Sequence, residues 1–129
     1  MATTLKTLRK RSPNEARRVK RRIGIRKKLS GTTVRPRISV FKSARHIYVQ
    51  AIDDSTGVTL ASASTMDKQL KSDCTGIKKT DAAKKVGELI AHRLKEKGVE
   101  VAVFDRNGFR YHGRVAAVAD GARESGMKL

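Results

Sequence analysis

Tryptophan is absent from this 129-residue chain, proline occurs twice, cysteine once, and aromatic side chains make up 4%. Acids are scarce too, with 12 Asp and Glu against 30 Lys and Arg. Each shortage excludes something. With Cys74 as its single cysteine, the chain has no intramolecular disulfide and no cysteine-rich zinc site. Cys74 is expected in a polar loop, in a reducing compartment. No apolar run approaches the roughly 18 residues of a membrane span, and no apolar stretch follows the basic start, as a secretory signal requires. A helix lying on an anionic membrane would set Trp, Phe or Leu opposite its basic face; here the three Phe residues lie elsewhere. An Arg-rich, acid-poor start also resembles an organelle transit peptide, but few Ser, mixed Lys and Arg, and a helix-start signal of its own argue against cleavage. The expectation is a cytoplasmic protein with no membrane partner.

Positive charge fills the space that acids leave. The formal charge is +18 and the sequence pI about 10.9, an excess that repels itself in a compact fold and calls for a polyanion. Nucleic acid fits, since each neutralised phosphate releases condensed counterions. The charge is also uneven. Residues 1–37 hold 14 Lys and Arg against one acid, Glu15, a net +13; residues 38–129 hold 16 against 11, a net +5. A basic arm over 1–34 therefore precedes a single domain over 35–129.

In the arm, Ser12, Pro13 and Glu15 spell a helix start with a capping box. Ala16, Val19 and Ile23 share one face, Gly24 weakens the middle, and Ser30-Gly31 marks the end. So narrow an apolar stripe predicts an arm that is mobile when free and ordered by phosphate. Strands follow at 37–41, 46–52 and 58–63, linked by short turns as an antiparallel meander. A polar stretch to Thr80 is expected to order weakly. Thr80 caps a helix whose apolar positions are Ala82, Val86, Leu89, Ile90 and Leu94, closed by Gly98. Val99 to Phe104 forms a strand parallel to an earlier one. After a loop over 105–113, Val115, Val118, Ala119 and Ala122 line a last helix ended by Gly126. The class is α/β: a mixed sheet of three antiparallel strands and one parallel strand, with two packed helices and a basic N-terminal helical arm.

Two segments carry a family resemblance: Arg35-Pro36-Arg37-Ile38-Ser39-Val40-Phe41-Lys42-Ser43 with His46-Ile47-Tyr48-Val49-Gln50, and Phe104-Asp105-Arg106-Asn107-Gly108-Phe109-Arg110-Tyr111-His112-Gly113-Arg114-Val115. Together with the Ala-rich end from Ala116 to Gly126, they resemble the bacterial-type family of large-subunit ribosomal proteins numbered eighteen. The resemblance runs from the arm to the last residue. It implies a ribonuclease-H-like sheet without catalytic activity. It also implies binding to 5S ribosomal RNA, attachment of that RNA to 23S ribosomal RNA, and neighbouring ribosomal proteins in the central protuberance. No cofactor and no small-molecule substrate are implied. The loop over 67–79 receives no function from it.

The candidate RNA-binding residues follow the charge. Arg9, Lys10 and Arg11 precede the arm helix; Arg17, Arg18, Lys20, Arg21 and Arg22 surround it; Arg26, Lys27 and Lys28 close it. Arg35 and Arg37 flank a Pro that stiffens the junction. Lys42, Arg45 and His46 lie about the first turn. Arg106, Arg110, Tyr111, His112 and Arg114 lie in the second loop. Arginine contacts phosphate in a bidentate way and stacks on bases. Phe109 and Tyr111, among arginines, either stack on unpaired bases or fold over the core end. Phe41, Tyr48 and Phe104 are expected in the core. His46 and His112 either touch RNA or make loop hydrogen bonds, and His92 is expected in solvent.

Two other readings compete. A basic DNA-binding architectural protein shares the charge. A metal-dependent nuclease needs carboxylates converging on its ions, and the first strand has none. Asp53 and Asp54 are expected as turn formers, and Asp105 in a salt bridge or capping its loop. The three histidines have no metal-ligand spacing, so neither catalytic nor metal residues are expected.

Overall fold

The computed structural model describes residues 12–129. Arg9, Lys10 and Arg11 lie outside the described residues. Helix α1 spans Pro13–Arg26, starting where the sequence predicts, but Ser12 makes no side-chain capping hydrogen bond. The helix also stops before Ser30-Gly31. Gly31 does something else. Its N–H donates to the Asp54 carboxylate at 2.7 Å and its carbonyl accepts the Asp54 N–H at 2.9 Å. A Cβ there would overlap the Arg37 nitrogen and the Ile52 oxygen, so this crossing of backbones needs glycine.

Strands β1 (Arg37–Lys42), β2 (Ile47–Asp53) and β3 (Val58–Ser64) form the expected antiparallel meander. A single helical turn, α2 (Lys71–Cys74), interrupts the stretch expected to be weakly ordered, and Leu70 before it is buried. Helix α3 (Lys79–Glu96) then crosses back to β4 (Val103–Asp105), which joins β1 in parallel, Ile38 opposite Phe104. The sheet order is β3-β2-β1-β4. Helix α4 (Arg114–Glu124) completes the fold.

The starts of α3 and β4 also differ from expectation. Helix α3 begins at Lys79, one residue before Thr80, and carries no side-chain cap. Strand β4 begins four residues later than Val99. The residues before it are engaged elsewhere: Val101 bridges Lys128 in parallel, and the Ala102 N–H donates to the Lys128 carbonyl at 2.8 Å.

Strand alternation explains the layering. Ile38, Val40, Ile47, Val49 and Ala51 point to one face, fully buried against Val86, Ile90 and Leu94 of α3 and Val115 and Val118 of α4. Both helices cover this face, and the opposite face carries Ser39, Phe41, Tyr48 and Gln50. Helices α3 and α4 touch backbone to backbone. A Cβ on Gly87 would overlap the Val118 carbonyl, and one on Gly121 the Lys84 carbonyl. Both helices end as the sequence predicts: Gly98 and Gly126 have φ of 78° and 92°, and the Val99 and Met127 N–H groups reach back to Leu94 and Ala122.

Candidate nucleic-acid interface

The face of the sheet away from α3 and α4 holds an aromatic row. Phe41 is not in the core as expected; it is 46% exposed. Its ring lies 6.1 Å from Phe109 on one side and 6.3 Å from Tyr48 on the other, and Tyr48 lies 6.4 Å from the His46 ring. Four rings from three segments thus form one path. Cations border it: the Arg18 guanidinium sits 4.6 Å from the Phe109 centroid and 5.9 Å from that of Phe41, and Lys42 Nζ 5.4 Å from Phe109. Burial pulls the pKa values of Arg18 and Lys42 down, helped by the neighbouring charges of Arg22 and Arg114 respectively. Strand period two carried the missed signal. If Ile38 and Val40 face inward, Phe41 must face outward.

Helix α1 is docked beside this row by its arginines. Arg18 donates to the Asn107 carbonyl at 3.2 Å and Arg21 Nε to the Gly108 carbonyl at 2.8 Å. Arg26 reaches the Asn107 side chain at 3.3 Å and Asp105 at 3.5 Å. A Cβ on Gly108 would overlap the Arg18 carbonyl, and the glycine's φ is 77°. Arg17, Lys20, Lys27 and Lys28 remain exposed on the arm, Arg22 is half-exposed, and Arg35 is exposed at the junction.

Arg37 departs from its expected role. It is buried, and its guanidinium donates to both Asp54 oxygens at 2.9 Å and to Asp105 at 2.7 Å. Those hydrogen bonds, Asp54 first, raise its pKa above the ordinary arginine value. With its donors turned inward to carboxylates, Arg37 belongs to the framework and not to the cationic surface. Asp54 is correspondingly lowered to about 2, chiefly by Arg37. Asp53, expected as a turn former, is buried at the end of β2 and holds Ser55, Thr33 and Thr56 by hydrogen bonds. These bring its pKa to about 2, the Ser55 hydroxyl contributing most. Asp105 makes its salt bridges with Arg37 and Arg26, while its other oxygen accepts the Asn107 N–H at 2.8 Å. The three carboxylates are therefore organised by arginine and hydroxyl groups. No cluster of three potential metal ligands occurs among the described residues.

The second loop splits into two. Phe109 faces the aromatic row, whereas Tyr111 packs edge-on to Phe104 at 5.8 Å and its hydroxyl accepts from Arg123 at 2.8 Å. Arg106 donates to the Phe109 carbonyl and Arg114 to the Ser43 carbonyl, each at 2.8 Å. Arg110 and His112 are exposed, as is Arg45. His46 Nδ1 lies 2.9 Å from Thr65 Oγ1. His92 is exposed as expected, 2.9 Å from Glu96.

An α/β domain with helices on one sheet face, an aromatic row on the other and arginines beside that row brings stacking planes and positive charge together. The family described as ribosomal L18 of archaea, bacteria, mitochondria and chloroplasts matches residues 11–129, and the chain belongs to that family. It is thus a ribosomal protein, structural and not enzymatic. Relatives named large ribosomal subunit protein uL18 are similar over nearly their whole length. That of Myxococcus xanthus is 62% identical over 87% of this chain and 94% of its own. That of Desulfatibacillum aliphaticivorans is 58% identical over 85% and 90%, and that of Petrotoga mobilis 53% identical over 93% and 98%.

Proposed function

We propose that this chain is a structural constituent of the large ribosomal subunit that binds 5S ribosomal RNA and helps attach it to 23S ribosomal RNA in the central protuberance. It acts in the cytoplasm, beside other ribosomal proteins. The observation that carries the reading is the row Phe109, Phe41, Tyr48 and His46, bordered by Arg18 and Lys42. Folded RNA offers unpaired loop bases, and such bases stack on aromatic and guanidinium planes. A sheet face with Phe41 exposed beside the half-buried rings of Tyr48, His46 and Phe109 meets that requirement.

Two kinds of contact divide the work. The arm over 1–34 supplies sequence-independent phosphate contacts through Arg17, Lys20, Lys27 and Lys28, and through Arg9, Lys10 and Arg11 ahead of them. The domain over 35–129 supplies register, through the aromatic row and the loop bearing Arg106, Arg110, His112 and Arg114. Phosphate contact also orders whatever part of the arm is mobile without RNA.

The test is binding of the purified chain to 5S ribosomal RNA against excess transfer RNA and duplex DNA across a salt series. Specific docking gives tight binding that survives both competitors, with log affinity falling linearly in log salt. Preference for duplex DNA would point to an architectural DNA-binding protein, and equal loss to every competitor to a generic polycation.

A further inference from the structure

A pocket of about 340 Å³ opens where the turn between β1 and β2 meets α2 and the start of α3. Its floor is apolar, from buried Ile47 and Ala82, with Ile77 at one wall. Its rim is cationic, from Arg45, Lys71, Lys79 and Arg114, and no Asp or Glu is among the described residues that line it. Two of these cations are pinned to the turn: Lys79 donates to the Ala44 carbonyl at 2.7 Å and Arg114 to that of Ser43 at 2.8 Å. Arg45 and Lys71 are exposed.

His46 ties this pocket to the sheet. It is the last ring of the aromatic row and also lines the pocket. Thr65 Oγ1 accepts the Ile47 N–H at 3.3 Å and also hydrogen-bonds His46 Nδ1 at 2.9 Å, which fixes the ring at the pocket edge. A strand laid along Phe109, Phe41 and Tyr48 therefore arrives at the pocket mouth, where the His46 ring and two exposed cations await it.

The volume sits at the lower end of small-ligand sites, which run from roughly 300 to 1,000 Å³, and so fits one nucleotide rather than several. We propose that the pocket takes a single unpaired nucleotide of the bound RNA, its base against Ile47, Ile77 and Ala82 and its phosphate on Arg45 and Lys71. The inference rests on the RNA-binding reading above and extends the interface into the 65–79 segment.

Cys74 lines the same pocket and is the chain's one thiol, so alkylation reports occupancy without any substitution. Burial pushes this thiol's pKa up, which calls for a mildly alkaline buffer. N-ethylmaleimide should label the chain at least about tenfold more slowly in complex with 5S ribosomal RNA than alone, a full site blocking access. Conversely, chain alkylated beforehand should bind that RNA about tenfold more weakly. Because alkylation could disturb the fold, Arg45→Ala combined with Lys71→Ala, both at the surface, gives an independent measure with the same expected loss. Tight RNA binding with Cys74 labelled at its unbound rate would overturn the pocket and leave the broader reading standing, as would undiminished binding by the double variant. Absence of selective 5S binding would overturn that broader reading, and the pocket with it.

Discussion

Arg37 and Asp105 meet at 2.7 Å in the interior, joining the first strand to the last across 68 residues of chain. The Asp105 side chain is fully buried, and Arg37 also holds Asp54. Removing the arginine leaves a buried carboxylate with only the longer Arg26 contact at 3.5 Å and the Asn107 N–H, the costly half of a broken buried pair. Arg37→Ala should therefore lower unfolding free energy by about 3–5 kcal/mol, measured by urea denaturation. Arg37→Lys should recover only part of it, since an ammonium cannot reproduce the fork that spans two carboxylates. A loss under about 1 kcal/mol for the alanine variant, far below the cost of a broken buried pair, would sink this account.

The contact between α3 and α4 yields a second expectation. Gly87→Ala and Gly121→Ala each drive a methyl group into a carbonyl of the facing helix. Each should cost about 1–3 kcal/mol, the usual range for overpacking, although alanine is the better helix former. Gly24, in α1 with open space around it, is the control, where alanine should leave the fold intact and raise helicity. Thermal melting followed by circular dichroism separates the two cases.

Acid should weaken the fold in a defined window. Asp53 and Asp54 titrate at about 2, below the ordinary 3.8. A carboxylate lowered by folding contributes stability that is complete above its unfolded pKa and disappears as pH falls through the folded one. The urea midpoint should hold from neutral pH to about 4 and fall between about 4 and 2. Asp54→Asn should flatten that fall while lowering stability at neutral pH. A midpoint indifferent to pH over the window would count against both pairings.

Stacking and phosphate contact should be separable by salt. Phe41→Ala and Tyr48→Ala should each weaken 5S binding by about 1–3 kcal/mol, the usual worth of one stacked base, with the salt slope unchanged. Arg17→Ala with Lys20→Ala should instead reduce the slope by about one for each phosphate that is no longer neutralised. The reverse pattern would assign the sheet face and the arm the wrong tasks.

Much of this fold is legible in the sequence, and the departures share a cause. Helix ends at Gly98 and Gly126 follow from local backbone chemistry, and the meander and crossover from hydrophobic period and turn residues. What stays hidden depends on residues far apart in the chain. Gly31, Gly87 and Gly121 look like helix breakers until the opposing backbone is known. Arg37 looks like one more arm cation until Asp105 arrives beside it. Phe41 is different: its period points outward, but a large apolar side chain in a strand ordinarily belongs to a core. The short α2 turn gives little signal, because Leu70 is the one buried anchor in a polar segment.

The parallel pairing of β1 with β4 also sets a timetable. Helix α1 and the three-stranded meander precede β4 in the chain, with α3 between. At a synthesis rate of about 5–20 residues per second, the arm is in solvent for several seconds before Asn107 and Gly108 exist to receive Arg18 and Arg21. During that interval its guanidinium groups have only water and any nearby polyanion as partners. A nascent chain can thus engage RNA before its sheet is complete, so that the nucleic acid is the first surface against which the arm is organised and the domain's own loop the second.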